Sequence, residues 1–100
     1  MDKLIKNNID LLREIFKNHY IDKAYLFGSG VSGELSDKSD IDLLIHFKEY
    51  PFEGYVENMW DLEDKLYSVF KKKVDIVPEH NLKNPYFIES VKRSRVLIYG

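Results

Sequence analysis

The stretch that most restricts what this chain can fold into is DIDLLIHF, residues 40–47. It alternates with period two. Ile41, Leu43, Ile45 and Phe47 fall on one face of a strand, and Asp40, Asp42, Leu44 and His46 fall on the other. A strand so patterned must bury its first face against a core. It then carries two carboxylates on the second, about 7 Å apart along the chain. Acids held that close repel unless a cation lies between them, and a hard divalent ion such as Mg²⁺ answers that demand with oxygen ligands. An apolar run upstream ends in Gly28-Ser29, separated from Asp40 by ten intervening residues, where backbone N–H groups and a hydroxyl suit a phosphate. A third acid, Asp75, sits between Val74 and Ile76 in KKVDIVP, so it points away from the apolar face of its own short strand. If the two strands are neighbours, Asp40, Asp42 and Asp75 converge on one sheet face.

Taken singly, each aspartate is more simply a solvated acid at a strand start. The spaced Gly-Ser turn, the embedding strand and the third acid together argue for a site. The Asp37-to-Asp42 cluster is not a calcium loop, because Ile41 occupies a ligand position and the central glycine is absent. His19, His46 and His80 lack metal-ligand spacing with one another. His46 shares the acid face by parity, on its far part.

The remaining chain supplies elements to pack on such a sheet. Residues 3–19 read as one amphipathic helix with Ile5, Ile9, Leu12 and Phe16 as its stripe, thickened by Leu4, Leu11 and Ile15. Ala24–Phe27 reads as the first strand, and three glycines follow within six residues at 28–33. A second helix is expected over 55–70, with Val56, Met59, Leu62, Leu66 and Val69 facing the core and Trp60, Tyr67 and Phe70 alongside. Lys71-Lys72-Lys73 beyond it offsets a helix dipole by ~0.3–1 kcal/mol, or draws in an anionic ligand. Asn84-Pro85 is an N-cap followed by proline at N1, opening a third helix to about Arg93, and residues 95–99 (RVLIY) form a last strand. The order is α-β-β-α-β-α-β. The fold class is α/β (α+β), a mixed sheet with helices on one face and the other left open for the acids.

Composition narrows the function classes. One hundred residues, 44% hydrophobic, suffice for one core and leave no room for a second, so 1–100 is expected to be one domain. The net charge of −2 gives no basic field to recruit nucleic acid. The absence of cysteine removes disulfides and Cys-based zinc sites. No apolar run approaches the ~20 residues of a membrane span, and a soluble cytoplasmic protein is expected.

The pattern Gly-Ser, ten residues, Asp-x-Asp, then a later Asp in an apolar strand resembles the nucleotidyltransferase superfamily of DNA polymerase beta. Small size and the tail (NPYFIES, then VLIYG) make it similar to the minimal nucleotidyltransferases within it. The resemblance covers nearly the whole chain. It implies a palm-like fold in which Asp40 and Asp42 hold two Mg²⁺ ions and Asp75 completes one shell and orients the acceptor hydroxyl. Gly28, Ser29 and Gly33 would bind the nucleotide's phosphates. The implied reaction is attack on the α-phosphate of a nucleoside triphosphate, ATP by preference, with transfer of NMP and loss of pyrophosphate. Members commonly read G-S-R-A-R-G; this chain has Gly30, Val31 and Ser32 after the serine, and two lost cations cost ~1–3 kcal/mol of charge-assisted bonding. Such domains often pair with a helical HEPN-type ribonuclease, which implies an antitoxin that adenylylates a tyrosine of that partner. Two alternatives stand beside it: an antitoxin that neutralises by docking alone, and a transferase acting on a small-molecule hydroxyl.

Overall fold

The computed structural model describes residues 3–28 and 40–100. Four strands make one mixed sheet: β1 (Ile21–Phe27), β2 (Ile41–Phe47), β3 (Val74–Pro78) and β4 (Val96–Tyr99), in the spatial order β3-β2-β1-β4. β1 runs antiparallel to both β2 and β4, and β2 runs parallel to β3. The parallel pair needs a crossover, and α3 (Tyr55–Phe70) provides it. Two helical segments, α1 (Lys3–Asn7) and α2 (Ile9–Asn18), precede the sheet, and α4 (Pro85–Ser94) joins β3 to β4 after a 3₁₀ turn at Glu79–Asn81.

The DIDLLIHF pattern does what its period requires. Ile41, Leu43, Ile45 and Phe47 are buried in the main core. They meet Leu12, Ile15 and Phe16 of α2, Leu62, Leu66 and Phe70 of α3, and Ala24 and Leu26 of β1 in that core. In α3 the buried residues follow i, i+4, i+8, while Val56, Trp60 and Tyr67 stand in solvent. Val56 therefore leaves the stripe expected of it and Phe70 joins the core.

The single helix expected over 3–19 is two segments. Asn8 breaks it: its N–H bonds back three residues to the Ile5 carbonyl (3.2 Å), and its side-chain amide donates to the Leu4 carbonyl (2.8 Å). An asparagine amide that competes for backbone groups weakens the helical ladder at that turn. Leu11, expected to thicken the stripe, is exposed. β1 starts at Ile21, three residues before the expected Ala24. Ile21 pairs with Phe47 across a register shift, and the exposed Asp22 and Lys23 hide the strand from any periodicity argument.

Among the described residues, α1, α2 and α3 lie on the core face. α4 departs from the one-sided arrangement expected. Tyr25, Phe27, Leu44 and Asp42 share the second face, since Tyr25 pairs with Leu44 and Phe27 with Asp42. α4 lies against that face: Phe87 meets Phe27 edge-on, and the Arg95 guanidinium sits 4.0 Å over the Tyr25 ring. Leu44, Ile88 and Val91 line one cleft beneath it, with Leu44 and Val91 buried. At the acid end α4 reaches Phe27 through Phe87, while Asp40 and Asp75 remain exposed. The predicted cap holds, with Asn84 Oδ1 accepting from the N–H groups of Tyr86 (2.9 Å) and Phe87 (3.3 Å). Arg95, expected to open the last strand, instead caps α4 through its N–H to the Val91 carbonyl.

Candidate active site

Register brings the acids together. In the parallel pair β2/β3, Ile41 faces Val74 and Asp42 faces Asp75, and the ladder is started by the Ile41 N–H donating to the Lys73 carbonyl (3.1 Å). In the antiparallel pair β1/β2, Phe27 faces Asp42. Phe27, Asp42 and Asp75 thus stand side by side on three adjacent strands, each about 5 Å from the next at the backbone. Asp40 lies two residues before Asp42, exposed at the strand's entrance, and Asp75 is exposed beside them.

Asp42 is the half-buried member. Burial raises its pKa above the ordinary 3.8, and the neighbouring charges of Asp75 and then Asp40 push it further the same way. Asp40, Asp42 and Asp75 together concentrate negative charge at this end of the sheet.

Gly28 follows Phe27 directly and adopts φ +72, a left-handed conformation that favours glycine. A Cβ there would lie 2.6 Å from Asp42 Oδ2. The left-handed backbone favours glycine here, and an added Cβ would also press on the end of the Asp42 side chain. Ser29, Gly33 and the departing residues Gly30, Val31 and Ser32 lie outside the described residues.

Among the described residues, no three His, Cys, Asp or Glu side chains form a ready-made metal cage. The donor chemistry nevertheless fits a hard divalent cation. All three groups are carboxylates, they share one face, and the central one is raised in pKa by burial and by its two acidic neighbours. A softer metal would call for the imidazole or thiolate that this end of the sheet lacks. His46 sits at the other end of β2, with Nδ1 3.2 Å from Glu79 Oε2 and Nε2 3.8 Å from Asp22 Oδ2, away from the acids. Lys71 closes α3 in a left-handed conformation, and the lysine run leads directly into β3 at the acid end.

The family model for polymerase beta nucleotidyltransferases matches residues 7–100. The chain belongs to the polymerase beta nucleotidyltransferase family. Among relatives of this nucleotidyltransferase is the Methanocaldococcus jannaschii protein "Putative protein adenylyltransferase MJ0128", 36% identical, with 96% of this chain and 99% of that protein covered. A solved structure of a "putative minimal nucleotidyltransferase" superposes with a TM-score of 0.79 at 28% identity, covering 96% of this chain and 95% of the other. The same fold occurs in a complex of tri-AMPylated Shewanella oneidensis HEPN toxin with MNT antitoxin, with a TM-score of 0.67, 20% identity, and 95% and 71% of the two chains covered.

The fold explains how three acids scattered over residues 40–75 of the chain come to one face. Two come from one strand by parity, and the third comes from its parallel neighbour by register. All three are acids that the sequence singled out, and the register sets Asp75 beside Asp42. Sequence reasoning missed Phe27 and Phe87, whose rings come to the acid end. The tail NPYFIES contains Phe87, but nothing in its spacing tells which sheet face α4 covers.

Proposed function

We propose that this nucleotidyltransferase uses Mg²⁺ to move AMP from ATP onto a hydroxyl of a protein partner, as the antitoxin of an HEPN/MNT pair. The single observation that supports the reading best is the Asp42–Asp75 register pair, with Asp40 beside it and Gly28 packed against Asp42. Asp40, Asp42 and Asp75 would hold the metal ions. Bound there, Mg²⁺ would neutralise the triphosphate's charge, including what builds up as the α-phosphorus becomes pentacoordinate. Gly28, Ser29 and Gly33 cradle the phosphates with backbone N–H groups. Asp75, at the exposed rim, orients the acceptor hydroxyl and takes its proton. The hydroxyl oxygen then bonds to the α-phosphorus as the bond to the bridging oxygen breaks, and pyrophosphate leaves. Asp40 and Asp75 are exposed, which gives a bulky protein acceptor a way to approach them. Those relatives and complexes whose names speak of protein adenylylation and of HEPN toxins support the acceptor class.

A second reading keeps the partner and drops the chemistry: neutralisation by docking. Gly30 and Ser32, which replace the usual cations, favour it. Incubating the chain with labelled ATP, Mg²⁺ and the protein encoded beside it separates the two. The enzymatic reading expects label on a partner tyrosine, lost in Asp40→Asn and Asp42→Asn together with neutralisation. Full neutralisation by both variants, without label from the wild type, would leave docking as the function.

A further inference from the structure

We infer that the Phe27–Phe87 pair, with Tyr86 at its rim, is the stacking platform for the base of the nucleoside triphosphate. The inference rests on the nucleotide reading of the acid site. A triphosphate anchored at the acids must lay its base one sugar's length away on the same face, and three of the directions are decided by the fold. Beyond Asp75 the sheet ends, since β3 is an edge strand. Along β2 the next position on that face is Leu44, already buried, with Ile88 and Val91 lining the same cleft. Across to β1 stands Phe27, the register partner of Asp42 and the residue before Gly28.

There the surface is aromatic and open. Phe27 and Phe87 meet with centroids 6.3 Å apart and planes at 78°. Phe27 is half-buried beside this edge-to-face contact, and aromatic faces attract a further stacked ring. Phe87 is 43% exposed and Tyr86 86% exposed, high values for aromatic rings on a helix whose Val91 is buried. Asn84 caps the first turn of α4 and Arg95 lies over Tyr25, so the helix backbone that carries Phe87 is fixed at both ends. A backbone so preorganised lowers the entropy lost when a base lands on the ring. Stacking accepts any base but grades bases by ring area, so purine nucleotides should bind more tightly than pyrimidine ones.

The test compares equilibrium binding of ATP, UTP and inorganic tripolyphosphate to the full chain in the presence of Mg²⁺. The wild type is expected to bind ATP about tenfold more tightly than tripolyphosphate, with UTP between them. Phe87→Ala should erase most of that advantage and leave tripolyphosphate binding unchanged. Phe87→Leu, which keeps an apolar contact with Phe27 but lacks the ring, should show the same split and guards against a folding defect in the alanine variant. Equal binding of ATP and tripolyphosphate by the wild type, or an undiminished ATP advantage in Phe87→Leu, overturns the platform. Failure of the wild type to bind tripolyphosphate at all overturns instead the nucleotide reading on which it rests.

Discussion

At Asp61 a carboxylate is answered by His19 and Lys65, whereas at Asp42 it is answered by two more carboxylates, and the two sites show what each arrangement is for. His19 is buried, its Nε2 2.6 Å from Asp61 Oδ2 and its Nδ1 2.6 Å from the Ile15 carbonyl. Lys65 Nζ donates to the other Asp61 oxygen at 3.0 Å, and Asn58 donates to the His19 carbonyl. The hydrogen bond from His19, then that from Lys65, lowers the Asp61 pKa below 3.8. This closed network pins the end of α2 to α3. Asp42 is shifted the opposite way by burial and like charge, a cost the fold retains at a place open to ligands. One cluster spends its charges on holding helices together; the other keeps its charge available.

The largest expected effect lies on the open side of this contrast. Asp42→Asn should lower nucleotidyl transfer by about a hundredfold or more while leaving thermal stability equal or higher, read by single-turnover transfer and by Tm. A marked drop in Tm would mean that Asp42 is structural and would erase the contrast. On the closed side, His19→Ala should destabilise the fold by about 2 kcal/mol in urea denaturation, because it vacates a buried, doubly bonded position. Transfer measured well below the melting range should persist.

Next in size is metal linkage. Adding Mg²⁺ should raise the wild-type Tm by roughly 4–8 °C for each 1 kcal/mol of binding free energy and leave Asp42→Asn nearly unmoved. An equal rise in both proteins would place the metal elsewhere.

Acid titration sharpens the comparison further, because the two signs are opposed. The lowered Asp61 contributes stability that is complete above its ordinary 3.8 and is lost as the pH falls through its lower folded value. The raised Asp42 costs stability when ionised, and that cost is relieved as the pH falls through its folded value above 3.8. Stability curves against pH should therefore flatten below 3.8 in Asp61→Asn and lose a gain above 3.8 in Asp42→Asn. Slopes unchanged in both variants would refute the assignment. The smallest effect is expected from Lys65→Ala, whose exposed i,i+4 pair should barely alter Tm at physiological salt; a large loss would show Lys65 to be integral to the clamp.

Much of this molecule was legible before any coordinates. The alternation in 40–47 assigned both faces of β2 correctly, and the Asn84-Pro85 cap placed the start of α4 to the residue. The beginning of β1 was hidden because Asp22 and Lys23, adjacent and exposed, carry no period. The break at Asn8 was hidden because its cause is a local bond, not a change in the apolar stripe. Gly28 was singled out as one of several glycines in a loop, yet its second reason for being glycine, the contact with Asp42 Oδ2, lies across two strands.

By itself the sequence determined which side chains share a face, because parity along a strand and the stripe of a helix are local geometry. It could not decide which strand lies beside which, in what register, or on which side α4 comes to rest. Those depend on hydrogen bonds and packing between segments far apart in the chain, and pairing Asp42 with Asp75 and with Phe27 is a tertiary outcome. The acids were written in the chain; their meeting, and the aromatic pair beside them, were decided only when the sheet closed.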